Sequence, residues 1–281
     1  MPELPEVEVL RRDLEKDIIG RKIKGTEVRA TKNAMRIIRR HTRRKDFEDA
    51  LAGVKIVKIE RQGKYLLIFL DSKQILVVHL GMSGQLKLSK TSAPIENHTH
   101  VIITFTVGGQ LRYVDPRSFG EMFLTTADEE GNIEGLTKLG IDPLEDALTW
   151  QYFSGTLVDR KTKLKTLLMD QKFICGIGNI YSDEILFAAG LRHDRNSDDL
   201  VAAEVRRLYR AIQEVLQEAI KFRGTSADDE QYVDLYGKLG EFQNQLKVYQ
   251  REGVPCRRCR TPVARSRWSN RSTYHCPQCQ I

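Results

Sequence analysis

Four cysteines near the C-terminus constrain this chain more than any other feature. Cys256 and Cys259 form one Cys-x-x-Cys pair, sixteen residues follow, and Cys276 and Cys279 repeat the spacing. Paired knuckles of this kind let four thiolates converge tetrahedrally, and the separation fits a zinc ribbon or β-hairpin finger. Two disulfides or four unrelated thiols are the competing readings. The start, Met1-Pro2-Glu3-Leu4-Pro5-Glu6, lacks the basic and apolar regions of a signal peptide, and without a secretory route disulfides are disfavoured. One structural zinc is therefore expected. It would supply much of the folding free energy of a segment with little apolar content of its own. Arg265, Arg267 and Arg271 would then sit on a rigid hairpin. Cys175, the fifth cysteine, reads as a core residue.

Charge is the second constraint. The chain is net +7, and the excess is gathered into three runs. Residues 21–45 hold eleven Lys/Arg against Glu27 alone, residues 160–172 hold five against Asp170, and residues 251–281 hold seven against Glu252. The rest of the chain is net acidic. One such run is as readily a solvated surface, but three in separate places favour a polyanion-binding face, with nucleic acid the first candidate. No apolar run approaches the roughly 18 residues of a membrane span, so a cytoplasmic, nucleoid-associated monomer with no membrane partner is expected.

Periodicity divides the 281 residues into regions of different class. Val7, Leu10 and Leu14 predict a helix over 3–16, with Pro2 and Pro5 at its start, where proline is tolerated. Alternating and β-branched runs predict strands at 54–60, 64–70, 74–80, 84–88, 99–107 and 111–115, with Gly108-Gly109 a hairpin turn. A first domain, 1–130, is followed by a linker at 131–148 within a poorly patterned stretch, 127–148. A helical domain spans 149–250. There Leu164, Leu167 and Leu168 share one helix, and another occupies 179–189 and ends at Gly190. A third spans 198–222 with Ser197 as its N-cap. The polar stretch 224–245 reads as a mobile loop, and 251–281 as the finger. The class is α+β.

Two features suggest chemistry. Gly176 and Gly178 precede a helix opened by Asn179, an arrangement that lets backbone amides meet a phosphate, and Arg160, Lys161, Lys163 and Lys165 lie upstream. A lone Gly-x-Gly is usually only a turn, but with these cations it looks like a helix-turn-helix variant used for backbone contact. At the start, removal of Met1 would bare the secondary amine of Pro2. An α-amino group has a pKa near 7.7–8.0, so an appreciable fraction is unprotonated at working pH. It is then a usable nucleophile toward a sugar carbon, forming a Schiff base. Glu3 adjoins it as a proton donor and Glu6 lies one helical turn away. On these residues alone, a Pro/Glu-rich helix start explains the segment as well.

The motifs accumulate beyond chance. Residues 1–8 read MPELPEVE, 79–84 HLGMSG, 115–120 DPRSFG and 176–181 GIGNIY. With the four-cysteine finger, these resemble the bacterial formamidopyrimidine-DNA glycosylases over essentially the whole chain. The resemblance implies an N-terminal antiparallel β-sandwich with flanking helices, a helix–two-turn–helix domain and a β-hairpin zinc finger. It implies a bifunctional DNA glycosylase/AP lyase of base excision repair. The substrates would be oxidised purines, such as 8-oxoguanine and formamidopyrimidines, in damaged double-stranded DNA, with β,δ-elimination to follow.

By matching motif, Pro2 is the implied Schiff-base nucleophile, Glu3 the acid/base at the sugar and Glu6 its supporting carboxylate. Lys64 is implied to contact phosphate and assist β-elimination, and Arg271 to bind phosphate and assist δ-elimination. His98, Arg160, Lys165 and Asn179 match backbone-contacting positions. Met82, Arg117 and Phe119 match residues that fill the gap left by a flipped base, with Arg117 addressing the opposite cytosine. Residues near 224–245 match the loop over that base. Cys256, Cys259, Cys276 and Cys279 match the zinc ligands.

Three positions depart from the pattern. Ser118 stands where a second arginine is common, Arg260 where a glycine follows the first knuckle, and 224–229 match the base-covering loop only loosely. Two alternatives are weighed. An endonuclease VIII-type glycosylase for oxidised pyrimidines would usually carry Gly in place of Leu4 and lacks the matching wedge. A non-catalytic zinc-dependent DNA-binding protein would leave Pro2-Glu3 idle.

Overall fold

The computed structural model describes residues 1–130, 133–144, 148–227 and 231–281. They form two compact units, Met1–Thr137 with Phe222–Gln243, and Lys138–Lys221 with Asn244–Ile281.

The first unit opens with α1, Leu4–Ile18, whose Val7, Leu10, Leu14 and Ile18 are buried at helical spacing. Then follow β1 (Ile23–Val28), α2 (Ala34–Ile37), α3 (Arg44–Leu51), β2 (Ile56–Gln62), β3 (Tyr65–Leu70), β4 (Gln74–His79), β5 (Gln85–Ser89), β6 (Thr99–Phe105), β7 (Gln110–Val114) and β8 (Glu121–Thr126). Helices α4 (Ala127–Glu130) and α5 (Glu134–Thr137) close it. The strands make two four-stranded sheets, ordered β1-β6-β7-β5 and β2-β3-β4-β8, with antiparallel pairing throughout. Side chains from both sheets, among them Val28, Ile103, Leu111, Leu66, Leu76 and Met122, share one core with α1. The result is a β-sandwich with flanking helices. Register sets one end of the second sheet, where Gln62 faces Tyr65, Tyr65 faces His79 and His79 faces Glu121.

The second unit contains α6 (Trp150–Val158), α7 (Leu164–Met169), α8 (Asn179–Ala189), α9 (Ala202–Lys221) and the hairpin β9 (Ala264–Trp268) and β10 (Arg271–His275). Helix α8 stops at Gly190, which has φ +71, the left-handed geometry that glycine adopts without steric cost. Among the described residues no helix is long and apolar enough to cross a membrane.

Most predicted strands fall within two or three residues of their observed bounds, and Gly108 and Gly109 make the turn with φ +95 and +94. Strands β1 and β8 were not expected. The polar run of β1 hides an edge strand that buries Ile23 and Val28 alone. The long C-terminal helix begins at Ala202 rather than 198, because Ser197 does not cap it. The Ser197 hydroxyl instead donates to the Arg160 carbonyl and accepts from the Thr162 amide, while Glu204 accepts from Val201 N–H at 3.1 Å.

The stretch 127–148 contains α4 and α5 where little regular structure was expected, and residues 131–132 and 145–147 lie outside the described residues. Segment 224–245 was expected to be a mobile part of the helical domain. Its residues up to Gln243 pack with the first unit and bury Tyr232, Val233 and Leu235; residues 228–230 lie outside the described residues.

One buried carboxylate holds much of the second unit's irregular backbone. Glu184 on α8 is 2% exposed and accepts hydrogen bonds from the amides of Lys247, Val248 and Tyr249 at 2.8–2.9 Å. Burial pushes its carboxyl above the usual range, and the three amides offset that only in part. Glu184→Ala would orphan three backbone donors at once, the Val248 amide among them buried. We expect a loss of about 3–5 kcal/mol in denaturant unfolding; a loss below about 1 kcal/mol would show that the carboxylate is dispensable.

Candidate active site and nucleic-acid interface

In the first unit the N-terminus is fastened rather than frayed. Pro2 is buried, and Glu3 is 2% exposed. The Glu3 amide donates to Glu6 Oε2 at 2.7 Å, and Thr225 N–H donates to Glu6 Oε1 at 2.8 Å. Both oxygens of one carboxylate are thus held by backbone. Gly224 makes room for this, since a Cβ there would stand 2.8 Å from Glu6 Oε1, and its φ is +80. Met1 is 43% exposed, so losing it uncovers the Pro2 nitrogen without opening the core.

Lys64 sits in the turn between β2 and β3. Arg61, which precedes the turn, donates to Glu8 Oε2 at 3.0 Å and to the Gly63 carbonyl at 3.1 Å. Glu8 also accepts from Arg11 and Arg12. Burial works against its charge, but these guanidiniums more than offset it and hold the carboxyl down at about 2. The ion pair ties the Lys64 turn to the helix that carries Pro2 and Glu3.

Facing Tyr65, with ring centroids 4.6 Å apart, stands His79, which heads the HLGMSG motif but has no role that the sequence pattern assigns. Gly81 N–H points to its Nδ1 at 3.3 Å, which assigns the proton to Nε2 and makes that nitrogen a donor. Burial pushes its pKa down to about 4; Glu121 opposes this, while Lys64 and Arg39 add to it.

Two loops at this sheet end are built back to back. Asp115, fully buried, accepts from Ser83 Oγ at 2.6 Å, Arg117 N at 3.2 Å and Gly120 N at 2.9 Å. The His98 carbonyl accepts from Asp115 N at 3.0 Å, and the His98 side chain is exposed. A Cβ on Gly81 would come within 2.6 Å of Phe119 backbone, so close approach requires glycine there. These loops present Met82, 38% exposed, and Phe119, 53% exposed. The Arg117 guanidinium lies 5.2 Å from the Phe119 ring centroid. Large apolar side chains held out together on pinned loops suit insertion into a partner. Ser118, with φ +55, is buried and offers no contact in place of the arginine expected there.

In the second unit, Lys165 is the main surprise. The sequence suggested a phosphate-gripping lysine, but its side chain has no exposed surface. Its Nζ donates to Asp183 Oδ1 at 2.7 Å and to the Asn179 carbonyl at 3.1 Å. Asp183 in turn accepts from Thr273 Oγ1 and from Tyr274 N at 3.0 Å, and Asn179 Nδ2 donates to the Ser272 carbonyl at 3.0 Å. The pair therefore welds the start of α8 to β10, leaving the Asn179 Oδ1 buried without a partner. Arg271 is exposed and borders a shallow hollow with Thr166, Met169, Asp170 and Trp268. Arg160, 41% exposed, lies 3.5 Å from Asp170 and over the Phe173 ring.

The four terminal cysteines meet as the spacing predicts. All four Sγ atoms lie within 4.8 Å of one another, the one such cluster of potential metal ligands among the described residues. Arg258 N–H donates to Cys256 Sγ and Cys279 N–H to Cys276 Sγ, each at 3.4 Å, so each knuckle stabilises a thiolate with its own backbone. The four can hold a metal ion. Arg260 adopts φ +70, keeping the left-handed turn without the expected glycine. Cys175 is buried, as anticipated.

A β-sandwich with a fastened N-terminus, a helical unit and a hairpin of four converging cysteines define a two-unit α+β protein whose C-terminal cluster could hold a metal ion. Comparison with known proteins narrows this. Residues 1–122 match the formamidopyrimidine-DNA glycosylase N-terminal domain, and residues 139–231 match the H2TH domain of the same enzymes. A formamidopyrimidine-DNA glycosylase of Heliobacterium modesticaldum is 45% identical over 283 residues, covering all of both chains. One from Pelotomaculum thermopropionicum is 42% identical over 280 residues, covering 100% of this chain and 99% of its own. Among solved structures, the Lactococcus lactis Fpg in complex with abasic-site DNA superposes with TM-score 0.89 at 34% identity, covering 99% of each chain. The Thermus thermophilus MutM (Fpg) protein gives 0.87 at 37%, covering 99% of this chain and 98% of its own. The chain belongs to the formamidopyrimidine-DNA glycosylase family, and it is a base-excision-repair DNA glycosylase.

The His79 environment makes a testable statement about charge. An unfolded His binds a proton near pH 6.5, whereas folded His79 refuses one until about 4. Its contribution to stability is complete above about pH 6.5 and is lost as pH falls toward 4, by at most ~1.4 kcal/mol per pH unit. An NMR titration of the His79 ring should show no midpoint between pH 5 and 8. A midpoint near 6.5 would contradict the assignment of a neutral donor.

Proposed function

We propose that this chain excises oxidised purines, 8-oxoguanine and formamidopyrimidines, from duplex DNA and then cleaves the strand by β,δ-elimination. The observation that carries the reading is the fastened N-terminus. A secondary amine on a rigid helix start, beside Glu3 and with Glu6 held at both oxygens, suits nucleophilic attack on a sugar C1′. Once Met1 is removed, the Pro2 nitrogen attacks C1′ and the C1′–base bond breaks, the base departing with the proton the amine gives up; Glu3 then protonates O4′ as the C1′–O4′ bond opens, and the resulting Schiff base acidifies C2′ for elimination. Lys64 assists the first elimination and Arg271 the second. Neutral His79, donating through Nε2 beside Lys64, is suited to a phosphate oxygen at the same place.

The target carbon is hidden in stacked DNA, so the nucleotide must be extruded, at a cost of a few kcal/mol. Met82 and Phe119 would fill the gap as wedges, and Arg117 would address the orphaned cytosine by hydrogen bonds to its base edge. His98, Arg160 and Asn179 are assigned to backbone contacts, which position the duplex without reading it. Lys165 acts through Asn179 and β10 rather than by touching phosphate. Residues near 224–245 would address the extruded base. The domain assignment that goes with this is a catalytic sandwich, a helix–two-turn–helix unit and a finger at 251–281. Support for DNA as partner comes from relatives solved with damaged DNA, such as a mutant Lactococcus lactis Fpg in complex with Fapy-dG DNA.

We infer that the metal is one structural zinc. A tetrahedral zinc–thiolate site with bonds of about 2.3 Å requires sulfurs about 3.8 Å apart, close to the 3.9 Å between Cys256 and Cys279 and the 3.4 Å between Cys259 and Cys276. Its role would be to hold the hairpin that presents Arg271. Elemental analysis should find close to one zinc per chain, with chelation or Cys256→Ser abolishing DNA binding before global unfolding. Reduced, freshly purified protein without metal would overturn it.

The nucleophile is tested by borohydride reduction in the presence of 8-oxoguanine duplex. Processed wild type should become covalently linked, whereas Pro2→Gly should trap at least tenfold more slowly and protein retaining Met1 should not trap. Undiminished trapping by the Met1-retaining protein would place the nucleophile elsewhere, with Lys64 the first suspect.

A further inference from the structure

Of the five acids of helix α1, three, Glu6, Asp13 and Asp17, stand at spacings of seven and four. At 100° per residue these fall within one narrow stripe. All three meet the same partner segment. Glu6 accepts from Thr225 N–H at 2.8 Å, Asp13 accepts from Arg223 Nη2, and Asp17 accepts from Tyr236 OH at 2.8 Å.

Arg223 is the junction. It also donates to Asp234 Oδ2 through Nε at 3.0 Å and Nη2 at 2.7 Å. The other oxygen of Asp234 accepts from the amides of Tyr236 and Lys238 at 2.9 Å. Arg223 has φ +59, a conformation that disfavours any side chain, so the ion pairs hold a residue that the backbone alone would prefer to be glycine. Its neighbours are equally tight. Ser226 Oγ donates to the Tyr232 carbonyl at 2.7 Å and accepts from Gly240 N–H at 2.9 Å.

One guanidinium between two carboxylates, Asp13 at 8% and Asp234 at 1% exposure, is locally net negative. That excludes Arg223 as a phosphate grip. Its position, immediately before Gly224 and Thr225, gives it another task.

We propose that Arg223, clamped by Asp13 and Asp234, is a positioning residue for base selection, holding residues 224–226 in place on α1 before a damaged base arrives. The proposal rests on the reading that this segment addresses the extruded base. Because the Glu3 amide holds Glu6 independently of Thr225, the clamp matters chiefly where a base must be accepted and little where none is present.

Arg223→Gln, Asp13→Asn, the double variant and Arg223→Lys should be compared with wild type in single-turnover assays on two duplexes. One carries 8-oxoguanine opposite cytosine and the other a preformed abasic site. Each single neutral variant should excise 8-oxoguanine at least tenfold more slowly while cleaving the abasic strand within twofold of wild type. The double variant should be no worse than the poorer single, and Arg223→Lys should recover part of the loss. In the free protein, the Thr225 and Ser226 amides should exchange faster in Arg223→Gln. Unchanged excision, or an equal fall on both duplexes, would overturn the proposal. Wild type inactive on both duplexes would instead overturn the functional reading itself.

Discussion

The Glu6 carboxylate is the interaction on which the rest of the site depends. An N-terminal nucleophile faces a physical conflict, because chain ends fray whereas attack on a buried sugar carbon requires a placement good to a fraction of an ångström. Glu6 resolves it with two backbone amides. One comes from Glu3, at the start of its own helix, and the other from Thr225, more than two hundred residues away. The first fixes the approach of the chain to Pro2, and the second ties that start to the segment at 222–243. Charge-assisted bonds to buried amides are among the stronger ones available, and losing the acceptor would orphan both donors.

The same device recurs elsewhere. Asp115 gathers three donors to pin the loops that carry Met82, Arg117 and Phe119. Asp183 joins Lys165, Thr273 and Tyr274, and Glu184 gathers three amides of the 247–249 backbone. Buried carboxylates tie loops and the joins between elements, where sheet and helix hydrogen bonds do not reach. The cationic residues left exposed, such as Arg117 and Arg271, are then free for a polyanion.

What the sequence revealed was whatever depends on neighbours in the chain. Cysteine spacing alone predicted the four-thiolate cluster, alternation found six of the eight sandwich strands, and Gly190 marked the end of α8. Family motifs led to Pro2, Met82 and Arg117. Relationships across the chain were invisible. Nothing near Lys165 announces that Asp183 will bury it, and Arg223 looks like an ordinary helix-end cation until Asp13 is brought to it by the fold. Ser197 resembled an N-cap because its local pattern is right, but tertiary partners at Arg160 and Thr162 claimed its hydroxyl. His79 could have been found, since it heads a recognised motif, but its tautomer and depressed pKa depend on Tyr65, Glu121 and Lys64, which only the sheet register brings together.

On the proposed mechanism, one rigid N-terminal amine carries out both base release and strand scission. The most direct measurement is a single-turnover time course on 8-oxoguanine opposite cytosine, quantifying free base and resolving both strand ends. Base release and scission should rise together, leaving phosphate on both sides of a one-nucleotide gap. Free base accumulating over an intact abasic strand would contradict that mechanism, because hydrolysis by activated water releases the base without forming the Schiff base that elimination requires.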